Sequence, residues 1–215
     1  KGRAGHPTPQ ERPRCAGALE KKLPQVLAGC RRSKAISGRQ VRLMFQDEAR
    51  FGRMVRIRRC WAQQPDRPTV CNGYEREFLY VYGAVSPKQG QLDWMITQQM
   101  NTQRMSEFLA QVSAAHQHEY IIMVVDGASS HVAKNLVVPH NMRLLRLPPY
   151  APELNPQEHV WDELREKEFP NRVYADLGSV RQQLEAGLPR LASSHETLRS
   201  LTAWPWISRL NLKAH

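Results

Sequence analysis

The stretch "YIIMVVD" at 120–126 constrains the fold more than any other part of the chain. Its apolar residues do not alternate with polar ones, so a strand made of them is buried on both faces. A strand of that kind belongs to a sheet covered by helices on each side. A second apolar run, "VRLMFQ" at 41–46, also ends on an aspartate, Asp47. Further strands are predicted over 54–62 ("MVRIRRCWA", alternating), 77–86 ("EFLYVYGAVS"), 91–99 ("QLDWMITQQ") and 142–150 ("MRLLRLPPY"). "PDRP" at 65–68 reads as a turn.

Helical spacing alternates with these runs in the second half. In 101–117, Met105, Phe108, Leu109 and Val112 share one face, and Asn101 or Thr102 can cap the start. A helix is also predicted over 156–168, with more helix in "SVRQQLEAGLPRL" and "ETLRSLTAWPWI". Residues 17–32 read as a short helix interrupted at Pro24. Early hairpin strands followed by alternating strands and helices make a mixed α/β sheet.

Two strand tips therefore carry carboxylates, Asp47 and Asp126. An ionised carboxylate at the end of a buried apolar strand is costly unless it is paired, hydrogen-bonded or bound to a cation. If the two strands are parallel neighbours, the two charges sit side by side. A divalent cation with oxygen ligands, Mg²⁺ or Mn²⁺, relieves that repulsion. The structural alternative is that each Asp caps a turn, in "DEARFG" and in "DGASSH".

Glu158 is the third acid. It follows the proline-stiffened loop "LPPYAPELNPQ". With Asn155 as N-cap and Pro156 as first helical residue, Glu158 falls where a capping-box acid sits. Alternatively, the rigid loop fixes the helix start so that Glu158 points back at the strand tips. Three carboxylates together can hold two divalent ions, the arrangement that supports in-line phosphoryl displacement.

The net charge of +11 is unevenly spread. Residues 1–46 hold 11 Lys and Arg against 2 acids, whereas residues 47–126 balance at 9 against 9. A basic arm beside a balanced body fits a polyanionic partner such as nucleic acid, or else a solvated linker. No run approaches the ~20 apolar residues that span a bilayer. The four cysteines (Cys15, Cys30, Cys60 and Cys71) include no CxxC pair, and they read as free thiols of a reducing compartment rather than as zinc ligands.

Taken together and in this order, "QDEARFG", "VVDGASSH" and "LPPYAPELNPQEHVW" resemble the catalytic domain of DDE transposases. They are similar to the Tc/mariner superfamily, in particular to its bacterial insertion-sequence branch. The similarity runs from about residue 39 to about residue 207 and includes "RRCWA", "AKNLVVPHNMRLLRL" and "NRVYADL". It implies an RNase H-like α/β fold, a five-stranded mixed sheet flanked by helices, over 39–215, behind a basic arm at 1–38. It also implies that Asp47, Asp126 and Glu158 are the catalytic, metal-binding triad. The cofactor implied is Mg²⁺ or Mn²⁺, as two ions. The activity implied is cutting of transposon-end DNA and joining of the freed 3′-hydroxyl to target DNA, usually at TA. A homodimer in the bacterial cytoplasm, associated with DNA and with no membrane, completes that expectation.

The sequence departs from the family pattern in two places. The helix-turn-helix region that the family carries upstream is not in this sequence. "QQPDRP" stands where a glycine turn is usual after "WA". Two other readings remain: a different RNase H-like nuclease or integrase, and an inactive transposase relic that only binds DNA or dimerises.

Other side chains have two readings each. Arg56, Arg58 and Arg59 form a basic outer strand face that can grip phosphates. Arg50 and Arg53 either touch DNA or are solvated. His131 either approaches the site and contacts phosphate or stabilises a turn. Glu48 points away from Asp47 by strand alternation, and His159 diverges from Glu158 by helical rotation. Trp161 and Leu164 read as core.

Overall fold

The computed structural model describes residues 23–29, 38–53, 63, 76–127, 135–148, 152–169, 173–210 and 212. Five strands form one sheet: β1 (Gln40–Gly52), β2 (Phe78–Ser86), β3 (Gln91–Thr97), β4 (Glu119–Val125) and β5 (Met142–Arg146). Their spatial order is β3-β2-β1-β4-β5. The first three strands pair antiparallel, whereas β1–β4 and β4–β5 pair parallel. The sheet is therefore mixed, with a meander at one side and crossover connections at the other.

The helices are α1 (23–29), α2 (Thr102–Ala115), α3 (Gln157–Glu168), α4 (Leu177–Ser193), α5 (His195–Thr202) and α6 (Pro205–Ser208). Strand alternation sorts the core into two layers. Met44, Tyr82, Ala84, Ile121, Met123 and Val125 face α2, which buries Met105, Phe108, Leu109 and Val112 against them. Leu43, Phe45, Phe51, Val81, Ile122 and Val124 face the other helices, where Trp161, Leu164, Val180, Leu184 and Leu188 meet them. All five residues from Ile121 to Val125 are fully buried. That is the physical reason their run lacks alternation.

Several local features follow from side-chain chemistry. The Asn101 side chain accepts a hydrogen bond from the Arg104 N–H and so caps α2. Gly90 has φ +63° in the β2–β3 turn, and its N–H donates to the Ser86 carbonyl at 2.8 Å. At the edge where β1 and β4 begin, Arg42 is nearly buried. Its guanidinium donates to Glu119 at 2.5 Å and to Gln91 at 2.6 Å, tying β1, β3 and β4 together.

Three expectations need correction. The first strand does not stop at Asp47 but runs on to Gly52, because the antiparallel partner β2 continues alongside it. Pro24 does not interrupt a helix. Residues 23–29 are helical straight through it, and the remainder of the expected 17–32 segment lies outside the described residues. α1 buries Leu23 and Leu27 in the main core. The C-terminal helical segment is broken at Ala203–Trp204, giving α5 and α6 in place of one helix. The expected strand over 54–62, the turn at 65–68 and the four cysteines lie outside the described residues. Among the described residues, no helix is long and apolar enough to cross a membrane.

Candidate active site

The site is built where β1 outruns β4. The last registered pair between them is Phe45 with Val124. Asp47 and Asp126 each lie two residues further along, so the parallel register brings them side by side. Alternation also puts them on one face, since Phe45 and Val124 both belong to the core layer facing α3. Asp126 follows the last residue of β4, whereas Asp47 lies inside β1, opposite Gly83 of β2.

The Asp47 carboxyl is held well above its ordinary value of 3.8. Burial is the largest cause, followed by the negative charges of Glu158, Glu48 and Asp126. Asp47 keeps some contact with solvent, yet its carboxyl is enclosed enough for desolvation to dominate. Glu48 contributes across the sheet, from the opposite face. It pairs in register with Tyr82, whose hydroxyl is pushed up to about 12 by burial and by the Glu48 charge.

Glu158 reaches this point because Asn155 fixes the start of α3. Asn155 is buried, and its amide donates to the Gln46 carbonyl at 3.0 Å, one residue before Asp47. Its side-chain oxygen accepts from the Gln157 N–H at 3.2 Å, and its carbonyl accepts from the Glu158 N–H at 3.2 Å. The tight Asn-Pro turn thus docks the helix onto β1. Only half of a capping box is present among the described residues: Asn155 caps the first turn through the Gln157 N–H, and no bond from the Glu158 side chain to the Asn155 N–H accompanies it. His159 is exposed and packs its ring against Trp204, 5.4 Å away, so it does turn from Glu158.

Trp161, which the sequence places simply in the core, has a second contact. Its indole N–H donates to Asp47 Oδ2 at 3.1 Å. Gln157, one helical turn earlier, is fully buried, and among the described residues neither polar atom of its amide has a hydrogen-bond partner. A tryptophan three residues after an acid on a helix is the only signal the sequence offers for this arrangement.

The acids within coulombic range of Asp47, Glu158 and Asp126 among them, offer oxygen donors, the kind a hard divalent cation takes. The elevation of Asp47 by its acidic neighbours is what such a cation would relieve. Among the described residues, no three His, Cys, Asp or Glu side chains are gathered tightly enough to hold a metal ion. The acids therefore stand within coulombic range rather than in coordination contact.

The remaining candidates divide. The Arg50 guanidinium lies over the Phe78 ring, 4.4 Å from its centre. Arg53 donates to the Tyr174 carbonyl at 3.2 Å and to Glu77 at 3.0 Å, joining the end of β1 to the segment before α4. Along an extended strand they stand roughly 10 and 20 Å beyond Asp47. Arg56, Arg58, Arg59 and His131 lie outside the described residues.

Comparison with known proteins bears on the family and the fold. Residues 42–181 match the family described as DDE superfamily endonuclease, a span that contains all three acids. A protein of Sinorhizobium fredii described as uncharacterized protein y4pE/y4sA is 30% identical over 133 residues, covering 61% of this chain and 98% of that protein. The fold is similar to the Mos1 mariner paired-end complex with Mn, with a TM-score of 0.60 at 16% identity over 98% of this chain. It is also similar to the Mos1 transposase paired-end complex with the left transposon end, with a TM-score of 0.59 at 17% identity over 95% of this chain. The chain spans 66% of the length of each of those two Mos1 chains.

Proposed function

The chain belongs to the DDE superfamily endonucleases, and from that premise we propose that it is the catalytic domain of a DNA transposase. In this proposal Asp47, Asp126 and Glu158 are the catalytic acids. Together they hold Mg²⁺ or Mn²⁺, as two ions. The observation that carries the reading is that β1, β4 and the start of α3 bring Asp126 and Glu158 within coulombic range of Asp47, whose carboxyl is raised by burial first and then by the charges of Glu158, Glu48 and Asp126.

Divalent ions held there supply activation of a water or hydroxyl nucleophile and stabilisation of the attacking and leaving oxygens in an in-line displacement. The protein supplies position. β1 and β4 fix two acids by backbone register, and Asn155 fixes the third by docking α3 onto β1. Cleavage of transposon-end DNA frees a 3′-hydroxyl, and the same acids serve its joining to target DNA.

The proposed partners are transposon ends and target DNA, with TA as the expected target. The basic residues before β1 are the proposed phosphate contacts. The similar Mos1 structures are paired-end complexes, which is the ground for proposing a homodimer. A strand-transfer assay tests the reading: a labelled oligonucleotide with a free 3′-hydroxyl, plasmid target and Mn²⁺ should yield joined product. Absence of product with every oligonucleotide end offered, despite Mn²⁺ binding, counts against it.

A further inference from the structure

We infer that Trp161 is a positioning residue that holds Asp47 in the orientation needed to bind the divalent ion, and that Gly83 exists to seat it. The inference rests on the proposed role of Asp47 as a metal ligand.

The indole of Trp161 is 1% exposed, and its N–H donates to Asp47 Oδ2 at 3.1 Å. A carboxylate has two oxygens and several lone pairs. The rigid indole donor joins the Glu48 backbone N–H, which also bonds this carboxyl, in fixing its rotation, and the carboxylate keeps further lone pairs for a cation. Groups that orient a metal ligand in this way typically change metal affinity 10–100-fold when removed.

The donor is rigid because of Gly83. A Cβ on Gly83 would stand 2.4 Å from the Trp161 ring carbon Cη2, 2.6 Å from Cζ2 and 2.8 Å from the Gln157 amide nitrogen. Those distances are far inside van der Waals contact. Any side chain on Gly83 displaces the indole or the amide beside it. Gly83 is also the register partner of Asp47, so the ring lies over the sheet at the acid itself. Its backbone there is part of an ordinary strand, so it is the space above it that requires glycine.

The arrangement also links two of the acids. Trp161 lies one turn after Glu158 on α3, on neighbouring faces. The hydrogen bond to Asp47 therefore pins the helix carrying Glu158 to the strand carrying Asp47. Asn155 makes the first pin, through the Gln46 carbonyl, and Trp161 makes the second, through the carboxylate itself.

The test uses Mg²⁺ binding by the full chain, measured by calorimetry and by the indole N–H resonances in NMR. W161F keeps an aromatic ring in the core and removes the N–H. We expect a cooperative thermal melt, with Mg²⁺ affinity about 10-fold weaker. In the wild-type chain the indole resonance absent from W161F should shift as Mg²⁺ is added, with the same midpoint as the binding heat. G83A should weaken Mg²⁺ binding similarly by moving the intact indole. A purely packing role predicts the opposite: W161F binds Mg²⁺ like wild type and the Trp161 resonance does not move. That outcome overturns the inference. Failure of the underlying metal-site reading looks different, because then the wild-type chain itself gives no Mg²⁺ heat and D47N changes nothing.

Discussion

Glu158 stands close enough to Asp47 that its negative charge, second only to burial, holds the Asp47 carboxyl above its ordinary range. One acid is in the first turn of α3 and the other is inside β1. This coupling separates the roles open to Glu158. E158Q keeps the shape and removes the charge. Because the cap of α3 comes from Asn155 and not from Glu158, the substitution should shift stability by less than about 0.5 kcal/mol. Metal-dependent cleavage should fall to background. A thermal melt beside a cleavage gel checks both, and undiminished cleavage would leave Glu158 outside the chemistry.

The elevated Asp47 carboxyl makes a signed statement about pH. Its folded pKa lies above the unfolded value, so the native state holds its proton longer. Below the unfolded value, near 3.8, the group contributes nothing to stability. As pH rises from there through the folded value, stability is lost. At neutral pH the metal-free wild type should therefore melt below D47N, and the gap should close as pH falls toward 3.8. Mg²⁺ should raise the melting temperature of the wild type but not that of D47N. Parallel pH profiles for the two proteins would remove Asp47 from this account.

Arg42 marks the structural end of the sheet. Its guanidinium is almost buried and bonds Glu119, which is also largely buried. Removing one partner of a buried pair leaves the other charge uncompensated, at a cost of about 3 kcal/mol or more. R42M should lower the denaturation midpoint accordingly, while Mg²⁺ affinity measured under folding conditions stays at the wild-type value. A loss of Mg²⁺ affinity in the folded variant would mean that the two ends of the sheet are coupled.

The basic residues before β1 should set the salt dependence of DNA binding. Each phosphate neutralised adds a slope of roughly −0.9 in log K against log salt. Truncating residues 1–22 removes six Lys and Arg and two Glu while keeping Leu23 and Leu27 in the core. Titrations over a range of salt should then show a flatter slope with little loss of stability. An unchanged slope would assign those charges to solvent.

Much of the fold can be read from hydrophobic pattern. Ile121–Val125 lacks alternation because both faces are covered, and the helical spacing of Met105, Phe108, Leu109 and Val112 matches the face α2 buries. Asp47 looks like a strand end because a charge seldom sits within a sheet. It sits there because β2, which the local pattern around Asp47 does not reveal, keeps pairing as far as Gly52. The pinning of α3 is also illegible in sequence. The Asn155–Gln46 and Trp161–Asp47 bonds each join residues more than 100 positions apart. Nothing in the strand "VYGAV" shows that Gly83 lies beneath a tryptophan.

The central claim is that Asp47, Asp126 and Glu158 form one metal-dependent DNA-cleaving site. Nicking of supercoiled plasmid by the chain, with Mn²⁺ and with chelator, tests it most directly, because it requires no particular end sequence. The wild type should convert plasmid to the nicked form only with Mn²⁺. D47N, D126N and E158Q should each fall to the chelator background while still binding DNA. Nicking that survives in any one of the three, or that proceeds in chelator, would contradict the claim.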